Sequence, residues 1–317
     1  MKNTLKALSF NILSNTVMKD MPTKIKKQLK QSWLDSSNTE TSLFLQTTRS
    51  NGYVLPNFIT EEDLKSFCTF KTRPGDVFLG SYPKSGTTWL AEIVRCIVKP
   101  RSSGKENFVP LFEVADYEQL EALPSPRCIS THLPFALLPH NNENNVKYIY
   151  IARNPKDVAV SAYHFFEGIP IFGFKRSRCT WEEFLENFMK GEVPGGSYFD
   201  HSLGWWTHKD DDNVLFLKYE ELKKDLQSQV KIIAEFLGFH FSDEEAEYVA
   251  ERCTFQAMKS NSNLPIHKLT KFFKTSHLRK GIVGDWKNHF SDEQLEQFQK
   301  LYESRLNGTG LNFEFEV

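Results

Sequence analysis

From Asp76 onward the chain alternates short apolar runs with longer periodic stretches. "DVFLGSY" (76–82) reads as a buried strand, and Thr87–Val98 has the spacing of a helix. "RCIST" (127–131) is a second strand. "VKYIYIA" (146–152), rich in β-branched and aromatic residues, is the third and strongest. Pro155 stands in the first turn of a helix "PKDVAVSAYHFFEG", where its missing N–H costs nothing. "NVLFLKY" (213–219) is another strand, followed by "EELKKDLQSQVKIIAEFLG" as one helix closed by Gly238. Strands alternating with helices predict an α/β fold, a central parallel sheet flanked by helices, in a single domain. The C-terminal third reads as mostly helical, with one long irregular stretch from about Asn261 to Asp285, a length that points to function.

The first 34 residues carry seven lysines against one aspartate, with Leu5, Leu8 and Ile12 at helical spacing. Residues 1–45 therefore form an N-terminal extension, helical then flexible, ahead of a domain over 46–317. Packing on the domain is the expected role of that extension; membrane-surface contact or targeting is the alternative. No run approaches the ~18 apolar residues of a membrane span. The net charge of −1 over 317 residues gives no overall pull toward nucleic acid, so any anion site is local. Five scattered cysteines form no metal-ligand spacing and suit a reducing, cytoplasmic compartment without zinc.

Three basic residues follow predicted strands: Lys84, His132 and Arg153. Ligands of open α/β sheets bind at the carboxyl ends of strands, so the three suggest one anionic site. "GSYPKSGTTWLAE" (80–92) has the strand–loop–helix context of a phosphate cradle, with Gly86 for close approach and Thr87 and Thr88 as hydroxyl donors. Its lysine precedes the second glycine instead of following it, and no clear magnesium carboxylate is present, so triphosphate chemistry is not expected. A second anion cluster, Arg153, Ser161 and Arg279-Lys280-Gly281, predicts a nucleotide phosphorylated at two places.

"YPKSGTTWL", "THLPFALLP", "YIARNPKDVAVSAYHFF" and "RKGIVGDWKNHF" closely resemble the cytosolic sulfotransferase family, from about Phe58 to the C-terminus. The resemblance implies 3′-phosphoadenosine-5′-phosphosulfate as co-substrate and no metal. It implies that Lys84, Ser85, Gly86, Thr87 and Thr88 hold the 5′-phosphosulfate, with Lys84 on the bridging oxygen and Ser161 restraining that lysine. Trp89, Tyr219, Cys253 and Phe255 would face the adenosine, and Arg153, Ser161, Arg279, Lys280 and Gly281 the 3′-phosphate. His132 would be the general base, with a pKa near neutral. Leu111 and Phe165 would line the acceptor pocket, with Phe166, Phe172 and Phe174 as looser candidates.

Three departures stand out. Ser130 occupies the position of the family's lysine before Thr-His, which contacts the sulfonate. Cys253 replaces a threonine. The dimer motif survives only as Lys287 and Glu296 around Ser291-Asp292, so a monomer or a different dimer is expected. The reading is sulfonate transfer to a small apolar hydroxylated acceptor such as a phenol, steroid or retinoid, with no nucleic-acid partner and no stable membrane insertion. The alternative, motivated by Ser130, is a low-activity nucleotide- or lipid-binding member. A carbohydrate or protein acceptor is a further reading within the same enzyme class.

Overall fold

The computed structural model describes residues 23, 26–27, 47–50, 52–56, 59–98, 109–140, 144–167, 179–261 and 278–317. Phe172, Phe174 and most of the 261–285 stretch lie outside these, as does the N-terminal extension apart from three helical positions. One of those, Thr23, donates from its N–H and hydroxyl to the Asp116 carboxylate at 3.0–3.3 Å.

A hairpin of β1 (Thr47–Ser50) and β2 (Tyr53–Pro56) precedes helix α1 (Glu61–Cys68). Then follow β3 (Val77–Gly80), α2 (Thr87–Val98), α3 (Tyr117–Glu121), β4 (Cys128–Thr131), β5 (Lys147–Ala152) and α4 (Pro155–Glu167). Next come α5 (Trp181–Lys190), α6 (Tyr198–Trp206), β6 (Val214–Lys218), α7 (Tyr219–Lys224), α8 (Leu226–Leu237) and α9 (Asp243–Arg252). After α10 (Phe255–Ser260), a 3-10 turn over Asp285–Asn288 leads into α11 (Asp292–Leu306). Among the described residues the central sheet is four-stranded and wholly parallel, in the order β4-β3-β5-β6.

The hairpin was not expected from the sequence, and the single helix after β6 is two. The chain breaks at Asp225, whose φ of −146° and ψ of 83° are not helical. Its carboxylate accepts the N–H of Ser228 at 3.0 Å and caps α8, an aspartate preference that the apolar periodicity does not report.

Alternation along the strands assigns the two faces. Phe78, Tyr148, Tyr150 and Ala152 enter one core with α1, α4, α5, α6 and α11; Val77, Leu79, Ile149 and Ile151 enter another with α2, α8 and α9. The first core is aromatic: Phe78 stacks on Tyr148 at 5.7 Å and Tyr150 on Trp205 at 4.7 Å, which accounts for many of the phenylalanines as packing. At the amino end of the sheet, Arg127 and Asp76 form a fully buried pair, Nε–Oδ1 2.9 Å and Nη2–Oδ2 2.5 Å. That end is closed by structure. The carboxyl ends of β3, β4, β5 and β6 open toward Lys84, His132, Arg153 and Tyr219.

Candidate active site

The loop after β3 is shaped by its backbone. Lys84 has φ +74° and Gly86 φ +124°, and a Cβ at Gly86 would stand 3.1 Å from Ile151 and Tyr219. Helix α2 then starts at Thr87, presenting first-turn N–H groups and the positive end of its dipole to the loop. Ser81, at the end of β3, ties the loop to its neighbours: its hydroxyl contacts that of Thr87, and its carbonyl accepts from His132 Nδ1 at 2.9 Å.

Because a carbonyl only accepts, Nδ1 carries the imidazole proton and Nε2 holds the lone pair. The His132 backbone is fixed as well. Its N–H donates to the buried carboxylate of Glu113, and its carbonyl accepts from His201 Nε2 at 3.1 Å. Burial lowers the His132 pKa to about 4; the Ser81 carbonyl opposes this and the Lys84 charge reinforces it. That is below the near-neutral value expected, because a partly enclosed imidazole beside a cation resists a second proton. Lys84 is shifted as well. Burial, then Arg153 and Arg279, lower its pKa to about 7.

A cavity of about 380 Å³ runs between these groups. Lys84, Gly86, Thr87, Thr88 and Trp89 line it from the loop and α2, Arg153 from just after β5 and Ser161 from the middle of α4. Tyr219, Phe255, Arg279, Lys280 and Gly281 close the same end, while Leu111, Ser130, His132 and Phe165 line the rest. Two sequence candidates lie behind the wall. Ser85 is fully buried with no hydrogen-bond partner for its hydroxyl among the described residues. Cys253 is fully buried, and its carbonyl accepts the Trp89 indole N–H at 2.7 Å.

Arg153 stacks over the Tyr219 ring at 4.4 Å, donates from Nη2 to Ile282 O at 2.8 Å, and has a buried Nε without a partner among the described residues. Asp157, one turn into α4, accepts the N–H groups of Gly284 and Trp286 at 2.9 and 3.0 Å, holding the late segment against this helix. Gly281 has φ +66°, and a Cβ there would overlap the Phe255 ring. An unsatisfied guanidinium N–H and mutually repelling cations fit an anionic ligand at this end.

The sequence reading missed several contributors. Asp285, 1% exposed, binds Arg279 at 2.6 Å and Lys280 at 2.5 Å. Burial raises its pKa, but hydrogen bonds from Lys280, Arg279 and Asn288 outweigh that and hold it well below the usual carboxylate range. It lies inside "RKGIVGDWK", where the local pattern points to Arg279, Lys280 and Gly281 and not to this carboxylate. Glu113, Lys223, the Glu92–Arg95 pair, and Leu55, Pro56 and Ile59 from the hairpin region also line the cavity. No local pattern marks them, since they reach it through tertiary packing. Among the described residues, no group of three or more histidine, cysteine, aspartate or glutamate side chains is arranged to hold a metal ion. Nor is any of their helices long and apolar enough to cross a membrane.

A parallel sheet whose strand ends bring a phosphate-type loop, a cation cluster and an uncharged histidine to one cavity has the arrangement of a nucleotide-dependent transferase. The chain belongs to the sulfotransferase family: the model of the sulfotransferase domain matches residues 74–310. It is 42% identical over 267 residues to dog sulfotransferase 1B1, covering 78% of this chain and 89% of that one. Human sulfotransferase 6B1 is 40% identical over 258 residues, covering 80% and 83%. Mouse sulfotransferase SULT7A1, solved with PAP, superposes with a TM-score of 0.71 at 39% identity over 83% of this chain and 96% of that one. A retinol dehydratase solved with retinol and PAP gives 0.76 at 27% identity over 85% and 93%.

Proposed function

We propose that this protein transfers a sulfonate group from 3′-phosphoadenosine-5′-phosphosulfate to the hydroxyl of a small apolar acceptor by in-line displacement. The observation that carries the reading is His132, with its Nδ1 proton committed to the Ser81 carbonyl, lining the same cavity as Lys84. His132 Nε2 takes the acceptor hydroxyl proton as the new O–S bond forms. Lys84 donates to the oxygen that departs with the nucleotide phosphate as the old S–O bond breaks. Thr87, Thr88 and the first turn of α2 hold the 5′ group, with Ser85 buried beneath them. Arg153, Ser161, Arg279, Lys280 and Gly281 hold the 3′-phosphate, and Trp89, Tyr219 and Phe255 face the base. Negative charge bound there offsets the repulsion felt by Lys84 and pulls the His132 pKa upward from about 4.

Leu55, Ile59, Leu111, Val114 and Phe165 make the acceptor wall apolar, which favours phenols, sterols or retinoid alcohols over sugars. The retinol in the retinol dehydratase structure supports an apolar alcohol. Free thiols at all five cysteines suit a reducing cytoplasm. Lys287 pairs with Glu316 in its own chain at 2.6 Å, which supports a monomer or a different dimer from the family's.

Radiolabelled sulfonate transfer to a panel of phenol, sterol, retinoid alcohol, aliphatic alcohol, amine and sugar tests the reading, with binding of the desulfonated nucleotide measured alongside. Transfer to an apolar alcohol is expected; no nucleotide binding would overturn it. A second reading, nucleotide binding with little turnover, is favoured by Ser130, which lines the cavity in place of a cation. Tight nucleotide binding without transfer, rescued by Ser130→Lys, is the outcome it requires.

A further inference from the structure

Lys84 is held in a conformation that a residue with a side chain seldom adopts, φ +74°, so its ammonium is placed by its surroundings. The charged and titratable groups acting on it are Arg153 from the end of β5, Arg279 from the late segment, and His132 from beyond β4. The two arginines repel it, and neutral His132 supplies no counter-charge. The opposing contact is aromatic. Lys84 Nζ lies 4.0 Å from the centroid of the Phe165 ring. Phe165 is on α4 one turn beyond Ser161, so the face of this helix that meets the donor loop carries a hydroxyl and then a ring. Phe165 also lines the acceptor part of the cavity.

We propose that Phe165 is a positioning residue for Lys84: its ring face keeps the ammonium charged and aimed over the donor loop, making the acceptor wall and the leaving-group lysine one unit. This rests on the sulfonate-transfer reading. An aromatic face attracts an ammonium and not a neutral amine, so it opposes the burial and the arginines that drive Lys84 toward deprotonation. In a site shielded from water the ring is expected to favour the charged form about ten-fold. Removing it lowers the Lys84 pKa, and activity that needs charged Lys84 is then lost at a lower pH. Donor phosphates raise the Lys84 pKa in wild type and variant alike, so the difference between the two persists in the complex.

The test compares wild type, Phe165→Leu and Phe165→Tyr. In the ligand-free protein, NMR titration of the Lys84 side-chain signal, assigned with Lys84→Arg, should move down by about one pH unit in the leucine variant and return in the tyrosine variant. In single-turnover transfer, Phe165→Leu should lower the rate about ten-fold at neutral pH and shift the alkaline limb to lower pH, with Phe165→Tyr returning the limb toward its wild-type position. Affinity for adenosine 3′,5′-bisphosphate should stay within about three-fold, since the 3′-phosphate grip is untouched. An unchanged Lys84 titration overturns the proposal, as does a loss confined to acceptor KM with kcat and the pH limb unmoved; Phe165 is then acceptor wall only. The titration needs no activity, so wild-type protein that neither binds the bisphosphate nor transfers sulfonate refutes the reaction and leaves the Lys84–Phe165 coupling separately measured.

Discussion

Arg279→Ala tests the proposed 3′-phosphate site most directly, and its size can be worked from the structure. Hydrogen bonds between ions contribute about 1.5–3 kcal/mol each, so a bidentate arginine–phosphate contact has a ceiling near 6 kcal/mol. Two features reduce that. The Arg279 side chain is 26% exposed, so solvent screens it, and its Nη2 is already engaged by Asp285 at 2.6 Å, so part of its donor capacity is spoken for. One feature acts the other way. After truncation Asp285 keeps Lys280 at 2.5 Å and Asn288 at 3.0 Å, but its charge is less well offset and repels the phosphate. The net expectation is a loss of about 2–3 kcal/mol, roughly 30- to 150-fold in Kd for adenosine 3′,5′-bisphosphate. Adenosine 5′-monophosphate, which lacks the 3′ group, should weaken by less than about three-fold. Calorimetry with both nucleotides decides the matter. Equal losses would show that Arg279 acts through the fold or the 5′ group, and the assignment would fall.

His132→Ala should leave bisphosphate affinity nearly unchanged while lowering transfer by about two to four orders of magnitude, and unaltered turnover removes His132 as the base. His132 and His201 are both neutral in the fold, with pKa values lowered mainly by burial to about 4 and about 3. Between those values and the unfolded 6.5 the unfolded chain binds more protons, so stability is full above pH 6.5 and falls as pH drops below it. Each histidine contributes about 1 kcal/mol per pH unit, and denaturant titrations at pH 7.5, 6 and 5 showing constant stability would contradict this. Asp76→Ala strands the Arg127 guanidinium in a fully buried place and should cost roughly 3–5 kcal/mol; a melting temperature within a degree or two of wild type would mean that Glu121 and the Lys71 carbonyl suffice.

The alternation of apolar strands and periodic helices was enough to specify a parallel α/β sheet, because β3 and β5 are buried on both faces and their sequences are apolar nearly throughout. Lys84, His132 and Arg153 were legible for a related reason: a strand ending in a polar residue places it at the carboxyl edge, and chain order fixes which strands do so. Gly86 was legible because close approach leaves no room for a side chain, whereas the crowding of Gly281 by the Phe255 ring appears only in the fold. Sequence also carried the capping signals, but the break at Asp225 was lost inside a continuous apolar periodicity. What the sequence could not contain was partnership across the chain. Glu113 under His132, Asp285 between Arg279 and Lys280, Leu55 and Ile59 in one cavity wall with Leu111, and Lys84 over Phe165 join residues that are distant or unpatterned locally. The pKa shifts of Lys84, His132 and Asp285 follow from the same cause, since burial and neighbouring charge exist only once the segments are packed. Local pattern set the elements and the residues that could act; packing decided which of them face one another, and therefore which proton each one holds.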